Sequence, residues 1–176
     1  MIFLVGCEHS LQIGAYLGST PEAPDLLDPI VADQVRWQVV QWIHSHGIHV
    51  VAEEMSREAI EARGVASNDT PVSIACQSTN TRHELLDLNS AERGILAAAC
   101  AKKVPVNGGF RELVWANRLS DFTGMNVLML CGSMHVTSLA TTLLTYDDFE
   151  PIGVTILSRE WRPPGSRSRF TPIASA

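Results

Sequence analysis

Long hydrophobic segments are absent from this sequence of 176 residues. A membrane-spanning helix needs about 20 consecutive apolar residues, and no stretch of the sequence approaches that length. The N-terminal apolar run covers only Ile2 to Val5 and follows no basic leading region, so it does not resemble a signal peptide. We therefore expect a cytoplasmic protein with no membrane partner.

Cysteine is scarce, and the four cysteines form no CxxC pair: Cys7, Cys76, Cys100 and Cys131. A disulfide framework is typical of shorter, cysteine-dense secreted chains. We expect reduced thiols that pack as small apolar side chains, with Cys7 and Cys131 buried and inert in their strands. The sequence also lacks a serine or cysteine in a nucleophile-elbow pattern, which disfavours covalent catalysis.

A basic excess is missing as well, because the formal net charge is -6. This charge disfavours nucleic acid and anionic membrane surfaces as partners. The apolar fraction of 45% and the charged fraction of 18% are typical of a globular domain. The length and the lack of repeats predict one α/β domain over residues 1–160. A Pro-, Ser- and Arg-rich tail follows over 161–176, either disordered or lying across another subunit of a homo-oligomer.

Short apolar segments alternate with helical patterns along the chain. We predict strands over residues 2–6, 48–52, 126–131 and 152–157, and a weaker strand over 84–86. Strands separated by helices form right-handed βαβ units. The sequence therefore predicts a three-layer α/β fold with a mostly parallel sheet of about five strands and helices on both faces. In such sheets ligands bind beyond the carboxyl ends of the strands.

Capping signals delimit several of the predicted helices. Asp28 with Pro29 at the first helical position begins one helix, and Gly47 ends it. Asn89 and Glu92 match a capping box that begins an alanine-rich helix reaching residue 102. Further helices are predicted over 56–63, from residue 70, over 110–122 and after residue 133, whereas residues 7–28 are predicted to form a loop.

Two segments have the form strand, then Gly-x-x-His: Gly6 to His9 and Gly132 to His135. The glycine permits a sharp exit from the strand and close approach of the backbone to a ligand. The histidine then lies over the carboxyl end of the strand. A structural alternative is that each histidine bonds a loop or caps a helix. A protonated His135 near a helix N-terminus would oppose the helix dipole, so we predict a neutral base or metal ligand there.

Glu53 and Glu54 directly follow the second predicted strand. Adjacent side chains of an extended backbone point to opposite sides. One glutamate is therefore expected to face the site while the other pairs with a helix or an arginine, and the sequence leaves open which one. Two solvated charges at a helix start, where the dipole favours them, are an equally good interpretation of the spacing.

Arg111 stands at the start of a predicted helix, where a cation opposes the helix dipole and needs a carboxylate or a substrate oxyanion as partner. We therefore assign the catalytic roles to five residues: His9, Glu53, Glu54, Arg111 and His135. Substrate binding is assigned to neighbours of these motifs: Glu8, His83, Asp87, Arg93, Glu112 and Ser133. By contrast, His44, His46 and His49 lie around a helix end that favours cations, and we interpret them as structural or surface residues.

These motifs resemble a superfamily that includes TraB/PrgY-type proteins, TIKI-type membrane metalloproteases, erythromycin esterases and ChaN-type haem-binding proteins. The resemblance rests on GCEH at residues 6–9, VVAEEM at 50–55 and the run FRELVWANRLSDFTGMNVLMLCGSMHV at 110–136. It implies a site of His9, Glu53 or Glu54, Arg111 and His135. It also implies hydrolase activity in some members, with a divalent metal in the TIKI type and none in the esterases. The chain is shorter than these proteins and lacks the helical insertions of the esterases.

Three functions are compatible with these residues. The first is a hydrolase of a small ester, amide or peptide-like bond, with a His and Glu activating water and Arg111 stabilising the oxyanion. In its metal variant, His9, His135 and Glu53 hold a divalent ion such as Mn, Co or Zn. The second is a non-catalytic protein that binds a metal, haem or a small anion. The third is an interaction module with a vestigial site.

Overall fold

The computed structural model describes residues 1–16, 18–100, 109–145 and 153–164, apart from the side chains of 96–100. Five strands form one sheet: β1 (Ile2–Cys7), β2 (Val50–Glu53), β3 (Arg82–Leu85), β4 (Val127–Gly132) and β5 (Val154–Trp161). Their order is β3-β2-β4-β1-β5, and every neighbouring pair is parallel. The predicted parallel sheet of five strands is confirmed.

The described residues also contain seven α-helices: α1 (His9–Ile13), α2 (Pro29–His46), α3 (Arg57–Glu61), α4 (Pro71–Thr79), α5 (Ser90–Cys100), α6 (Gly109–Ser120) and α7 (Val136–Thr145). One apolar cluster joins α1, α2 and α4 to one face of the sheet. Another joins α6 and α7 to the opposite face. The three-layer arrangement is therefore confirmed. None of the described helices combines the length and apolar character needed to cross a membrane.

The central strand β4 shows why the sheet is covered on both faces. Its apolar residues from Val127 to Cys131 are all at most 2% exposed. Successive side chains alternate between the two layers, so that Met129 packs with α6 and α7 whereas Leu128 packs on the α2 side. An uninterrupted apolar strand is what a sheet with two helical layers requires.

Several predicted boundaries were wrong. β3 begins and ends earlier than 84–86, and β5 extends to Trp161, while residues 151–152 lie outside the described ranges. Trp161 pairs with Cys7 and packs edge-to-face against Trp42 at 5.3 Å, so the predicted tail boundary falls inside the sheet. The region predicted as a loop contains α1, which has five residues and no side-chain cap. Residues 165–176 of the predicted tail are not described.

Gly6 serves a different purpose from the one predicted. It lies within β1, and a Cβ atom there would come within 2.1 Å of the Arg159 carbonyl oxygen and 2.7 Å of Val136 Cγ2. The missing side chain therefore lets β5 and α7 pack against β1. Gly132, at the end of β4, is the glycine whose missing side chain leaves room beside the predicted site, because a Cβ atom there would lie 3.0 Å from His9 Nε2.

Candidate functional site

The site lies at the carboxyl edge of the sheet because parallel strands end there together. Cys7 of β1 pairs with Gly132 of β4, and Glu53 of β2 pairs with Leu130 of β4. The residues that leave these three strands, from 8, 54 and 133 onward, consequently begin at one rim. This register brings His9, Glu54 and His135 together.

Glu54 is the centre of the arrangement. Its Oε1 lies 2.9 Å from Arg111 Nη2, 3.5 Å from His135 Nε2 and 3.7 Å from His9 Nε2. Its Oε2 accepts a 2.7 Å hydrogen bond from the Gly132 amide. A Cβ atom on Gly132 would lie only 3.0 Å from His9 Nε2. The glycine therefore keeps the floor of the site open and presents its N–H to the carboxylate.

Arg111 is held between two buried carboxylates. Its Nε and Nη2 donate to Asp87 at 3.3 and 2.9 Å, while Nη2 also contacts Glu54. The guanidinium stacks over the Trp115 ring at 4.8 Å, and Trp115 Nε1 donates to Asp87. Arg93 donates to the same aspartate from the half-exposed side. Of the two kinds of partner predicted for Arg111, the structure provides carboxylates, from Glu54 and Asp87. The contribution of Asp87 is to hold Arg111 in place.

His135 is oriented by Glu112. The ring Nδ1 lies 2.8 Å from Glu112 Oε1, and the Ser138 hydroxyl donates to the same oxygen at 2.7 Å. Burial alone would raise the pKa of Glu112, but the hydrogen bonds from His135 and Ser138 outweigh it and lower that pKa. Trp115 packs edge-on against the imidazole at 5.2 Å. An ionised Glu112 therefore holds the proton on Nδ1 and leaves Nε2 directed toward Glu54.

The buried polar atoms at this site that form no hydrogen bond within the described ranges include His9 Nε2 and Glu54 Oε1, although Glu54 Oε1 is ion-paired with Arg111. Beside them lies a cavity of about 220 Å³, lined by Cys7, Glu8, His9, Ser10, Gly132, Ser133, Met134 and His135. Unpaired buried polar groups are costly unless a water or ligand bonds them. The crevice is therefore suited to hold one small polar group between the two imidazoles and the carboxylate.

Glu53 lies apart from this centre, on the sheet face that carries α2 and α4. Its Oε1 is 2.6 Å from Nε2 of His83 in the neighbouring strand β3. Burial disfavours the imidazolium of His83, but the hydrogen bond and charge of Glu53, with a contribution from Glu84, raise the pKa of His83 overall. The two consecutive glutamates therefore serve two different histidines, as the alternation of an extended chain requires.

The raised pKa of His83 predicts how the stability of the protein depends on pH. The folded-state pKa exceeds the ordinary 6.5, so the ion pair with Glu53 stabilises fully below that pH and is lost as pH rises through the folded value. We expect the difference in unfolding free energy between wild type and His83→Gln to shrink between about pH 5.5 and about pH 9. Urea titrations at both values measure it, with the exposed His44→Gln as control; a difference that grows with pH would contradict the assignment.

The remaining sequence-predicted residues have clear positions. Ser133 is exposed and lines the small cavity. Glu8 also lines it and lies 3.4 Å from Arg162, which follows β5 and was not predicted from the sequence. His46 and His49 lie at the opposite edge of the sheet, where the His46 carbonyl and His49 Nδ1 both accept from Asn126. The structural interpretation of these two histidines agrees with these contacts.

The described cysteines match the prediction of buried, unbridged thiols. Cys7, Cys76 and Cys131 are all buried and free. Burial raises the pKa of Cys7 and of Cys76 to about 12, and it raises that of Cys131 as well. Because the thiolate is the nucleophilic form, these cysteines are inert as nucleophiles at neutral pH. The side chain of Cys100 lies outside the described set.

The donor set at Glu54 does not fit a divalent metal. Among the residues that the structure describes, no three His, Cys, Asp or Glu side chains are grouped so that they could hold an ion. The physical reason is Arg111, whose Nη2 lies 2.9 Å from the Glu54 oxygen that faces both histidines. A second cation on that oxygen would be repelled by the guanidinium. Glu53, the predicted third ligand, is bonded to His83 instead.

Three side chains contact the site residues but were not assigned to the site from the sequence: Trp115, Ser138 and Arg162. Trp115 lies four residues after Arg111 on α6, a spacing that places both on one helix face. That spacing was a usable signal, whereas the contact between Ser138 and Glu112 depends on how α7 packs against α6.

Comparisons with protein-family models, curated proteins and solved structures gave no match to this chain.

Proposed function

We propose that this chain is a hydrolase of a small ester, amide or peptide-like bond, in which His135 activates a water molecule. The observation that carries the proposal is the orientation of His135, with Nδ1 fixed by a buried carboxylate at 2.8 Å and Nε2 facing the crevice. A carboxylate behind one ring nitrogen and an open second nitrogen form the arrangement of a general base. The cavity of about 220 Å³ suits a small reacting group.

The proton path follows from this orientation. The lone pair on His135 Nε2 accepts a proton from water as the water oxygen bonds to the substrate carbonyl carbon. Glu112 stabilises the imidazolium that forms, and this imidazolium then protonates the leaving group as the bond to it breaks. General-base assistance of this kind contributes about 10²- to 10⁴-fold to the rate.

Glu54 and His9 supply the other contacts to the reacting atoms. Oε1 of Glu54, which is ion-paired with Arg111 but forms no hydrogen bond with a described residue, accepts the second hydrogen of the attacking water. His9 in its Nε2–H form donates to the developing oxyanion. Arg111 contacts the carboxylates of Glu54 and Asp87, so it compensates their charges and holds Glu54 in position. This division of roles differs from the initial hypothesis, in which Arg111 bound the oxyanion.

The proposal also includes a relationship to the TraB, TIKI and erythromycin esterase superfamily, a cytoplasmic location and a small-molecule or peptide substrate. Its support is that the residues carrying the resemblance, His9, Glu54, Arg111 and His135, lie around one carboxylate. The ion pair of Arg111 with the Glu54 oxygen that faces both histidines favours the metal-independent chemistry of the esterase type over the TIKI type. Binding of a metal, haem or anion without turnover is the competing function.

The experiment is a turnover assay of the purified chain against chromogenic esters, amides and short peptides, before and after chelator treatment and with metal analysis. We expect chelator-resistant hydrolysis that falls about 10³-fold in His135→Ala, because the general base is lost. His44→Ala, on the exposed end of α2, is the matched control and should retain full activity. Hydrolysis that survives both His9→Ala and His135→Ala would remove the proposal, and stoichiometric metal without turnover would favour the binding function.

A further inference from the structure

A second, larger cavity lies at the same edge of the sheet, above β3. Its volume is about 490 Å³, and most of the described residues that line it are polar or charged, including Arg57, Ser67, Asn68, Ser73 and His83. Leu85 is the one apolar residue among the described residues of that lining. A cavity of this size is within the range that holds a small molecule, whereas the Glu54 crevice is smaller. Nothing in the proposed hydrolysis uses this cavity.

The imidazole of His83 is a recognition group of this cavity, and the buried Glu53 holds it in place. Glu53 is fully buried and its Oε2 has no hydrogen-bond partner among the described residues. His83 Nε2 lies 2.6 Å from the other Glu53 oxygen, so the ring is fixed in place. The second ring nitrogen, Nδ1, bonds no described residue, and the ring lines the cavity. In the imidazolium form, Nδ1–H is a donor that requires an acceptor on a ligand.

The described charged residues that line the cavity are three carboxylates, two arginines and His83. The acidic residues are each paired with an arginine: Glu84 with Arg82 at 2.7 Å, Asp87 with Arg111 at 2.9 Å and Glu92 with Arg118 at 2.6 Å. Arg57, in contrast, forms no ion pair with a described residue. The unpaired cation and the fixed imidazole therefore present donors to the same space.

We propose that this cavity is a second binding site, separate from the Glu54 centre, for a small anion that carries hydroxyl groups. Arg57 and His83 bind the anionic group, and Ser67 and Asn68 are positioned in the lining to bond the hydroxyls. The chemistry of the anion, carboxylate or phosphate, is distinguished by the choice of probe. Asp87 forms part of the wall and also anchors Arg111, so the two sites share one side chain.

Calorimetric titration of the full chain tests this site with citrate as the carboxylate probe, inorganic phosphate as the phosphate probe and glycerol as the uncharged control. We expect one of the two anions to bind at millimolar concentration or tighter, and His83→Gln and Arg57→Gln each to weaken it about tenfold or more, the fold-change of one charge-assisted hydrogen bond. His44→Gln and Arg159→Gln, both on exposed surfaces, should not change the affinity. Arg57→Gln, at an exposed position, keeps the test valid even if His83→Gln fails to fold.

The outcome separates this site from the proposed hydrolysis because binding rather than turnover is measured. His135→Ala is expected to retain full anion affinity, whether or not the chain proves to be a hydrolase. Anion binding that is lost in His135→Ala and retained in Arg57→Gln would place the anion at the Glu54 centre and overturn the proposal. Absence of binding by both anions, or affinities unchanged in Arg57→Gln and His83→Gln, would overturn it as well.

Discussion

Glu112→Gln is expected to lower kcat of the proposed hydrolysis by about 10²- to 10⁴-fold with little change in KM. The physical reason is the tautomer of His135. The carboxylate of Glu112 can only accept from Nδ1, which keeps Nε2 free as the base. A glutamine amide can instead donate to Nδ1, which moves the proton to Nε2 and blocks proton transfer from water. The loss amounts to about 3–5 kcal/mol of transition-state stabilisation.

Two measurements, the protonation of the His135 ring nitrogens and kcat, distinguish an orienting role of Glu112 from a purely structural one. Nitrogen-15 NMR of the histidine rings should show the protonated nitrogen of His135 change from Nδ1 to Nε2 in Glu112→Gln. Glu61→Gln, on the exposed end of α3, is the matched control and should change neither the spectrum nor kcat. A Glu112→Gln enzyme with normal kcat would show that Glu112 supports the fold alone. The NMR readout remains informative even if no substrate is found.

The fold could be predicted largely because its signals are local. Asp28, Pro29 and Gly47 bound a helix in the structure where the sequence placed one, and Asp28 accepts from the Ile30 amide at 2.8 Å. The capping box is confirmed in both directions, with Asn89 N bonded to Glu92 Oε2 and Glu92 N bonded to Asn89 Oδ1. These features need only a few consecutive residues to form, so a single sequence reveals them.

Local residue patterns did not predict the short helix α1 or the bounds of β3 and β5. α1 has no capping hydrogen bond from a side chain, and its apolar residues are buried by tertiary contacts, Leu11 in the layer that contains α4 and Ile13 in a cluster with Met55 and Ile60. β3 is an edge strand with the sequence RHEL, whose side chains are only partly buried. β5 pairs with β1 through two register shifts, and no local residue pattern marks where such a strand ends.

The site was predictable only as far as strand direction determines it. Parallel strands place His9, the two glutamates and His135 at one edge, because each ends or follows a strand. The sequence could not decide between Glu53 and Glu54, since that choice depends on which helical layer covers each face of β2. Nor could it place Glu112 behind His135, because the two are 23 residues apart and meet only through the packing of α6 and α7.

Arg111→Met is expected to reduce the free energy of unfolding by about 3 kcal/mol, because removal of one partner leaves buried carboxylates without compensation. Glu54 is fully buried and loses its 2.9 Å contact with the guanidinium. Asp87 loses two hydrogen bonds from Arg111 but retains Arg93. The main cost therefore falls on Glu54. Urea-induced unfolding measures it, with the exposed Arg159→Met as control.

The double variant Arg111→Met with Glu54→Gln isolates the charge. A glutamine at residue 54 can still accept from the Gly132 amide, as Glu54 Oε2 does at 2.7 Å, but it needs no cation. We expect the double variant to be more stable than Arg111→Met by about 1–2 kcal/mol, since replacement of both partners removes the uncompensated buried charge. Strictly additive losses from the two single variants would mean that Arg111 stabilises the protein through its stacking on Trp115 and its bonds to Asp87. In that case Glu54 would not depend on Arg111, and the positioning role proposed for this arginine would be wrong.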